Sequence, residues 1–500
     1  MKKIIFFFEM HQPRRMKRSF GMFNSMNYFD DELNKDIFQR AANRCYIPTL
    51  KIFLEASKKY GFKFSLGTSG VFLEQCSWWE PRIIELLKEL VDKGACELIA
   101  ETYYHSLASL ISVDEFKTQV NLHRKILNEI FGVRPEVAEN TEFIYNNEIA
   151  KLFKELGFKI VLTEGTEKVL GWRSPNYLYK AKGTDILLLM RNYRLSDDIG
   201  FRFTCKDWIC WPLTAEKYAN WLKSSPGDLI FIAMDFETFG EHHWPDSGIH
   251  DFIRTLPKYL KDFNLEVTTP SEVNSNLNAV DEIDVRETIS WADSERDLSA
   301  WVGNEMQKYC FEVIKYMEPM VKSSSNELLK IWRYFTTSDY FHYMSTKGGG
   351  EGAVHSYFSH FNSPIEAFIA FTSILFDFRY RVYESMGRKL LYYKMLFGQI
   401  PESHAFHFYS GFAKPLGIKA RNLKELYEAL SKVDEQTILF HINRGDLSRW
   451  IREVLGYKEL ADKLNTLSKN NVKDKILKII EESLDKIEGL LYEGSNIEKI

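Results

Sequence analysis

Short apolar runs alternate with amphipathic stretches along the first 275 residues. The runs are continuous, which is typical of strands covered on both faces in a parallel sheet. Between them, apolar residues recur at helical spacing over 81–92, 113–130, 147–156, 215–223 and 249–261. This order predicts βα units that close into a barrel or wind into an open sheet. The predicted strands are 4–8, 62–66, 96–100, 135–138, 159–162, 186–190, 229–234 and 265–268.

Polar side chains follow several of these strands at the point where the apolar run ends. His11 comes after the first strand, Glu101 after the third, Glu142 after the fourth and Asp235 after the seventh. A parallel barrel gathers the carboxyl ends of its strands at one mouth, where catalytic residues lie. The sequence therefore predicts an active site at the mouth of a barrel.

The pattern changes after residue 275, and long amphipathic helices are predicted over 298–320, 327–343 and 364–392. A glycine-rich stretch at 345–356, STKGGGEGAVHS, lacks the GK[ST] of a phosphate-binding loop. It is either a flexible connection or a loop at the rim of the barrel mouth. We predict a catalytic barrel domain over 1–275 and a helical domain over 276–398 that contributes to the active-site rim.

The sequence pattern changes again near Pro401, and we assign 399–500 to a small α/β module with a helical tail. Its predicted elements are the stretch FHFYSGF, a helix over 423–431, a strand at TILFHI (437–442) and a helix over 447–455. The tail predicts a helix that packs on its own protein or forms a dimer interface. The sequence leaves the role of the module and the oligomeric state open. The apolar tail residues are Val472, Ile476, Ile479, Leu484, Ile487 and Leu490.

Composition and charge narrow the classes of partner. The formal net charge of −4 argues against nucleic acid or an anionic membrane. The six cysteines contain no C-x-x-C pair, and no apolar run is long enough to span a bilayer. The apolar run at the amino terminus is too short for a signal peptide. We therefore expect a soluble, cytoplasmic protein.

Glu142 and Asp235 have the surroundings expected of a glycosidase carboxyl pair. Cleavage of a glycosidic bond needs one ionised carboxylate facing the sugar and one protonated carboxyl for the leaving group. Glu142 ends a polar turn, VAENTE, whose donors would keep it ionised. Asp235 follows the apolar run LIFIAM, so burial and repulsion from a nearby carboxylate would keep it protonated.

Five segments occur in an order that resembles glycoside hydrolase family 57. They are HQP at 11–13, CELIAETYYHSL at 96–107, AENTEFIYNN at 138–147, IAMDFETFGEH at 232–242 and TTSDYFHYMSTK at 336–347. The likeness covers about residues 1–400 and is greatest to the α-amylase branch. The third segment lacks the tryptophans of the family's glucanotransferases and branching enzymes.

The resemblance implies a fold, a reaction and two catalytic residues. The fold is an incomplete seven-stranded (β/α) barrel followed by a helical domain. The reaction is hydrolysis of α-1,4-linked glucose polymers or malto-oligosaccharides, with retention of configuration and without an obligatory cofactor. The family places the nucleophile at Glu142 and the general acid at Asp235. In a retaining enzyme, these carboxyls lie about 5–5.5 Å apart.

Further residues are candidates for substrate contacts. We expect His11 to bind sugar hydroxyls or a carboxylate, and Glu97 to point into the barrel beside Glu142 or to form a buried ion pair. Trp291 and Trp301 would stack on glucose units or pack in a core. The remaining candidate subsite residues are Gln12, His105, Asp339 and His342.

Other functions stay open on the sequence. A 4-α-glucanotransferase shares the first half-reaction, and a non-catalytic glycan-binding or regulatory protein would keep the barrel without turnover. A group of residues close in sequence has metal-ligating side chains, but its spacing is not a zinc pattern. We therefore predict no catalytic metal, which disfavours a metal-dependent deacetylase. The group is His242, His243, Asp246 and His250.

Overall fold

The computed structural model describes residues 1–21, 25–273, 277–347, 359–468 and 470–493. The chain divides into two compact units. The first contains Met1–Lys315 and Arg333–Leu375, and the second contains Tyr316–Trp332 and Phe376–Ile500. The predicted helical segment 276–398 therefore contributes residues to both units. Most of the glycine-rich stretch 345–356 lies outside the described residues.

A nearly closed parallel barrel forms the centre of the first unit. Its seven strands follow the order β8, β1, β2, β3, β4, β5, β7 and back to β8, which confirms the predicted barrel. The backbone pairing between β3 and β4 and between β7 and β8 is limited to one residue pair each, Ala100 with Ala138 and Arg191 with Phe231. The strands of this unit are β1 (Lys3–Met10), β2 (Phe64–Thr68), β3 (Cys96–Ile99), β4 (Val137–Glu139), β5 (Ile160–Glu164), β6 (Leu178–Ala181), β7 (Leu187–Arg191), β8 (Leu229–Asp235), β9 (Glu266–Thr268) and β10 (Glu282–Ile283).

The side chains of β1 alternate between two hydrophobic cores. Phe6 and Phe8 pack with helix residues such as Phe53, whereas Phe7 belongs to a separate core with residues of the other barrel strands. Both faces of β1 are apolar because both are covered, as expected for a parallel strand. Because successive side chains point to opposite faces, Glu9 has the same inward direction as Phe7.

Helices connect the strands and extend into the second unit. Many begin at a side chain that accepts a hydrogen bond from the first turn, such as Ser69 and Ser112. Three of the helices contain residues of both units: Glu305–Lys322, Asn326–Phe335 and Pro364–Met386. The other helices of the first unit are Asp31–Ala41, Ile47–Tyr60, Gly70–Trp79, Arg82–Asp92, Ala108–Ile111, Val113–Phe131, Asn147–Glu155, Glu167–Leu170, Tyr193–Gly200, Ala215–Ser224, Ile249–Asp262, Pro270–Val273, Ser299–Val302 and Ser338–His342.

The described part of the second unit is mostly helical and contains an antiparallel hairpin. The hairpin consists of β11 (Phe406–Tyr409) and β12 (Pro415–Ala420). No helix within the described ranges is both long and apolar enough to cross a bilayer. The remaining helices of this unit are Lys389–Phe397, Leu423–Lys432, Glu435–Arg444, Asp446–Glu453, Lys458–Asn465 and Val472–Tyr492.

Two details of the predicted elements are wrong in this unit. TILFHI lies in the helix Glu435–Arg444, because the Asp434 side chain caps that helix and its buried positions have helical rather than alternate spacing. The buried stripe of the tail helix also differs from the predicted one, although it packs within its own unit as one of the two alternatives stated. Its buried positions are Val472, Ile476, Ile480, Ser483, Ile487 and Leu491.

Candidate active site

The carboxyl end of the barrel carries a layer of inward-facing polar residues. Each residue of this layer other than Gly67 follows, two positions later in sequence, a residue of the hydrophobic core inside the barrel. Because side chains alternate along a strand, each of these side chains also points to the barrel interior. Gly67 makes room for its neighbour, because a Cβ there would lie 2.3 Å from Glu9 Oε2. The layer consists of Glu9, Gly67, Glu101, Glu139, Glu164, Arg191 and Asp235.

A cavity of about 170 Å³ at this end of the barrel contains both predicted catalytic carboxyls. It also receives side chains from residues 291–301 and from the helix Ser338–His342, which are distant in sequence. All predicted site residues except Glu97 line this cavity. They are Glu142, Asp235, His11, Gln12, His105, Trp291, Trp301, Asp339 and His342.

Glu142 occupies an unusual backbone conformation that directs its carboxylate into the cavity. Its φ is 63° and that of Phe143 is 52°, both in the left-handed region. Such positions cost about 1–3 kcal/mol each for non-glycine residues and cluster at functional sites. The Phe143 ring packs against Phe7 inside the barrel, at 5.6 Å between ring centroids, and this contact holds the turn.

The Glu142 carboxylate accepts hydrogen bonds from two sides. Trp291 Nε1 donates to Oε2 at 2.7 Å, and Ser338 Oγ donates to Oε1 at 3.0 Å. Burial would raise the pKa of Glu142, but the hydrogen bond and charge of His105 and the Trp291 donor outweigh it and lower that pKa. The site therefore keeps Glu142 ionised, as a nucleophile requires.

His105 connects Glu142 to a buried carboxylate. Its Nδ1 lies 2.9 Å from Glu101 Oε2, and its Nε2 lies 3.6 Å from Glu142 Oε1. Burial lowers the pKa of His105, but hydrogen bonds to Glu101 and Glu142 outweigh burial and raise it well above its usual value. A protonated imidazole between two carboxylates fixes the Glu142 side chain and compensates its charge. The His11 ring stacks on it at 4.2 Å between centroids.

Glu9 and Glu139 lie beside Glu101 and are almost completely buried. Burial raises the pKa of Glu9 well above its usual value, and burial raises that of Glu139 to about 8. Glu139 is therefore largely protonated near neutral pH, and the raised pKa of Glu9 favours its neutral form as well. Among the described residues, Glu9, Glu101 and His105 also bring three potential ligand atoms within 4.8 Å of one another. A metal ion there would have to compete with protons for Glu9 and His105, whose pKa values are both raised.

Asp235 has the properties of a proton donor. Burial, followed by the negative charge of Glu142, raises the pKa of Asp235 to about 7. Glu237, two residues later, also has a pKa raised, to about 8, by burial and by the charge of Asp235. The Glu237 carboxyl accepts hydrogen bonds from Tyr46 and Gln12, which hold it at the wall of the cavity. Asp235 is the more exposed of the two to the cavity.

His11 and Gln12 are held by protein groups at both ends of their side chains. His11 Nδ1 lies 2.6 Å from Ser69 Oγ, and Nε2 lies 3.2 Å from Asp339 Oδ2. Gln12 donates to Tyr46 Oη at 3.0 Å and accepts from Arg15 Nη2 at 2.9 Å. Both residues line the cavity, but these contacts point to orientation of their neighbours as a main role.

The two predicted aromatic platforms differ in exposure. Trp291 is partly exposed to the cavity, and its ring packs on Phe143 at 4.9 Å between centroids. Trp301 is only 1% exposed, which favours the core-packing alternative. Trp301 Nε1 has no hydrogen-bond partner within the described part of the chain. Trp291 thus combines a ring that is partly exposed to the cavity with a donor to Glu142.

Replacing Trp291 by Phe should lower kcat by about 10-fold or more, because a hydrogen bond to a charged group contributes about 1.5–3 kcal/mol. Loss of a donor to the ionised form raises the pKa of Glu142, so the acidic limb of the pH–rate profile should move to higher pH. Initial rates across pH check both effects. Trp301→Phe is the matched control, and an unshifted limb in Trp291→Phe would contradict the donor role.

A buried network of four charges lies at the wall next to Trp291. Arg191 pairs with Glu164 at 2.9 Å and with Asp197 at 2.5 Å, and Arg296 reaches the same two carboxylates at 3.4 and 3.2 Å. Arg296 also donates to the Trp291 carbonyl. The network therefore fixes the backbone that carries the Trp291 side chain.

Arg191→Met should destabilise the fold by about 3–5 kcal/mol, because it leaves buried carboxylates without their main partner. Chemical unfolding of the full chain measures this loss. Arg194→Met is the matched control, since Arg194 pairs with Glu167 at the surface and should cost no more than about 1 kcal/mol. Equal losses in the two variants would show that the network contributes little.

The prediction that Glu97 lies beside Glu142 is wrong. Glu97 faces the barrel interior but belongs to the start of β3, where its carboxylate accepts from the Ser271 amide at 3.0 Å. Glu101 is four residues further along, or about 13 Å at the rise of a strand. Only Glu101 reaches the end of the barrel that carries the cavity.

The sequence-adjacent histidines considered as metal ligands have separate partners. His243 Nε2 hydrogen-bonds the Ile199 carbonyl at 2.8 Å, and His250 Nε2 hydrogen-bonds the Phe239 carbonyl at 2.7 Å. His242 lines the cavity, and burial lowers its pKa to about 3. These contacts assign His243 and His250 to the packing of the loop after β8.

Several residues of the site were not singled out from the sequence. Ser338 lies in the segment TTSDYFHYMSTK, directly before Asp339, so the segment pointed to its location but not to its role. Glu9 lies two residues before His11, and inward alternation along β1 was the available signal. No sequence pattern brings Arg191 and Arg296 together, since 104 residues separate them and folding alone joins them.

The sequence matches the models of two known protein families. The model of glycosyl hydrolase family 57 matches residues 5–286, and that of a family of unknown function (DUF5752) matches 402–496. A protein of Methanocaldococcus jannaschii with the provisional name alpha-amylase is 48% identical over 401 residues, which are 77% of this chain and 86% of that protein.

More distant relatives include two further named activities. A 4-alpha-glucanotransferase of Thermococcus litoralis is 22% identical over 243 residues, which are 48% of this chain and 34% of that protein. The crystal structure of a branching enzyme of family 57 from Thermococcus kodakaraensis shares the fold, with a TM-score of 0.58, 16% identity and coverage of 80% of this chain and 92% of that one. The chain belongs to glycosyl hydrolase family 57.

Proposed function

We propose that this glycoside hydrolase cleaves α-1,4-linked glucose polymers with retention of configuration, using Glu142 as nucleophile and Asp235 as general acid and base. The observation that carries the proposal is that the pKa values of two carboxyls in the same cavity are shifted in opposite directions. The pKa of Glu142 is lowered by His105 and Trp291, whereas burial and the charge of Glu142 raise that of Asp235 to about 7. Such a split assigns one base and one acid within one cavity.

The proposed reaction has two steps. Glu142 forms a bond to the anomeric carbon as the glycosidic C–O bond breaks, and Asp235 transfers its proton to the leaving oxygen. Asp235, now ionised, takes a proton from water, and that water replaces Glu142 at the anomeric carbon. When Glu142 becomes an ester, it no longer carries the negative charge that faces His105. The hydrogen bond with Glu101 continues to hold the imidazole.

The names of relatives support α-glucans as the substrate class. The Methanocaldococcus jannaschii relative carries the provisional name alpha-amylase, and proteins named alpha-amylase from Pyrococcus species are 26–28% identical over shorter segments. A second candidate is 4-α-glucanotransferase, which is the name of the Thermococcus litoralis relative. It differs only in whether water or a sugar hydroxyl attacks the glycosyl-enzyme.

Incubation with maltoheptaose, followed by sizing of the products, tests the proposal. Shorter products alone indicate hydrolysis, whereas products both shorter and longer than the substrate indicate transfer. No change in the substrate would refute both and favour a glycan-binding protein. A parallel reaction with a chelator tests for a metal requirement. Loss of activity that added metal restores would show a functional metal, for which Glu9, Glu101 and His105 are the candidate ligands.

A further inference from the structure

The second unit contains a cavity of about 360 Å³ that the proposed reaction does not use. We call it the C-terminal pocket. It lies between the hairpin of β11 and β12 and the junction of the helices Glu435–Arg444 and Asp446–Glu453. Its volume is within the range of small-molecule sites. The residues that carry the argument are Tyr409, Phe412, Phe440, His441, Arg444 and Asp446.

Aromatic rings form one part of the C-terminal pocket. Phe412, in the hairpin turn, is 83% exposed, so its ring is available to a ligand. Tyr409 and Phe440 are half-buried on the same pocket. Rings displayed in this way offer flat apolar faces, and the C–H face of a glucose unit packs on such surfaces.

Polar groups of the same pocket are fixed before any ligand arrives. His441 Nε2 accepts from the Tyr409 amide at 2.9 Å, and its Nδ1 lies 3.1 Å from Asp446 Oδ2. Because Nε2 accepts, a neutral His441 donates through Nδ1–H to Asp446. Arg444 Nε donates to the same Asp446 oxygen at 2.9 Å. The three side chains are thus mutually oriented at one end of the pocket.

This arrangement favours a neutral polyhydroxy ligand over an ion. Arg444 and Asp446 compensate each other's charge, so the pocket has no excess charge for a phosphate or a metal cation. The guanidinium keeps further N–H donors, and Asp446 keeps a second acceptor oxygen. A donor next to an acceptor matches neighbouring hydroxyls of a sugar, while the rings match its apolar face.

We propose that the C-terminal pocket binds α-glucan chains and thereby keeps the polymer attached to the enzyme between catalytic events. The inference rests on the proposed function, because the choice of α-glucan among sugars follows from the substrate of the first unit. A second contact to one polymer raises its effective concentration without changing the chemistry. The effect should therefore appear with long glucans and disappear with short ones.

Native electrophoresis of the full chain through gels containing amylopectin tests this proposal. All proteins carry Glu142→Gln, so that the polymer is not degraded. Phe412→Ala and Arg444→Met should each reduce retardation, with an increase of about 3- to 10-fold in the apparent Kd for amylopectin. Phe376→Ala is the matched control, because Phe376 is an exposed ring of the same unit, at 52%, outside the pocket. Circular dichroism verifies folding.

The outcomes separate this proposal from the proposed function. If retardation is unchanged in both pocket variants, the C-terminal pocket does not bind glucan. The same conclusion follows if the Glu142→Gln protein without a pocket substitution is not retarded. Equal retardation by a β-glucan gel overturns the assignment to α-glucans. In proteins that retain Glu142, Phe412→Ala should lower turnover of amylopectin but not of maltoheptaose. Lack of maltoheptaose turnover in the parent refutes the proposed function alone, since electrophoresis reports on binding.

Discussion

Replacing Glu142 by Gln should lower kcat/KM on maltoheptaose by about 10⁴-fold or more, as expected when a covalent nucleophile is removed. The amide keeps the shape of the side chain and its contacts with Trp291 and Ser338 but cannot form the glycosyl ester. Stability should change little, because His105 retains Glu101 as a partner. Product release measured from initial rates checks the loss.

Glu97→Gln is the control for the Glu142 variant, because it removes a half-buried carboxyl at the opposite end of the same barrel. Its activity should stay near that of the parent. Adding azide to the Glu142→Ala variant tests whether Glu142 is the nucleophile. Azide can attack the anomeric carbon from the side that Glu142 leaves empty, and a retaining α-enzyme would then release a β-glycosyl azide. More than about a tenth of parent activity in Glu142→Gln would refute covalent catalysis.

The sequence predicted the frame of the site because strand ends have a simple signature. Continuous apolar runs identified most of the barrel strands, and polar residues after β4 and at the end of β8 identified Glu142 and Asp235 in combination with the family motifs. The strand-end rule selected Glu101, which follows β3, but alternation along the strand directs Glu97 inward as well. Inward direction alone does not show which end of the barrel Glu97 reaches, and only the position of the cavity decides that it is not near Glu142.

What could not be predicted depends on tertiary contacts. The left-handed conformation of Glu142 is held by packing of Phe143 inside the barrel, and no local residue preference favours it. β6 was missed because its pairing with β7 is an antiparallel hairpin inserted between barrel strands. TILFHI has the apolar, β-branched content of a strand, but Asp434 caps the first turn and the segment lies in the helix Glu435–Arg444.

Asp235→Asn should lower kcat/KM on maltoheptaose by about 10²–10⁴-fold, the usual contribution of a general acid. The loss should be much smaller for an α-glucosyl fluoride, because fluoride leaves without a proton. For that substrate the first step stays fast, and the second step becomes limiting because no base activates water. Stopped-flow release of fluoride should then show a burst. Glu237→Gln is the control, and a burst in Glu237→Gln rather than in Asp235→Asn would move the general acid to Glu237.

The pH–rate profile of the parent gives an independent check of the same assignment. Asp235 must be protonated and its pKa is raised to about 7 by burial and by Glu142, so activity should fall as pH rises through about 7. Glu142 must be ionised and its pKa is lowered by His105 and Trp291, so activity should persist below the usual glutamate value of 4.5. In Asp235→Asn the alkaline limb should disappear, because the group that loses its proton there is gone. An alkaline limb that persists unchanged in this variant would show that another group, of which Glu237 is the nearest, donates the proton.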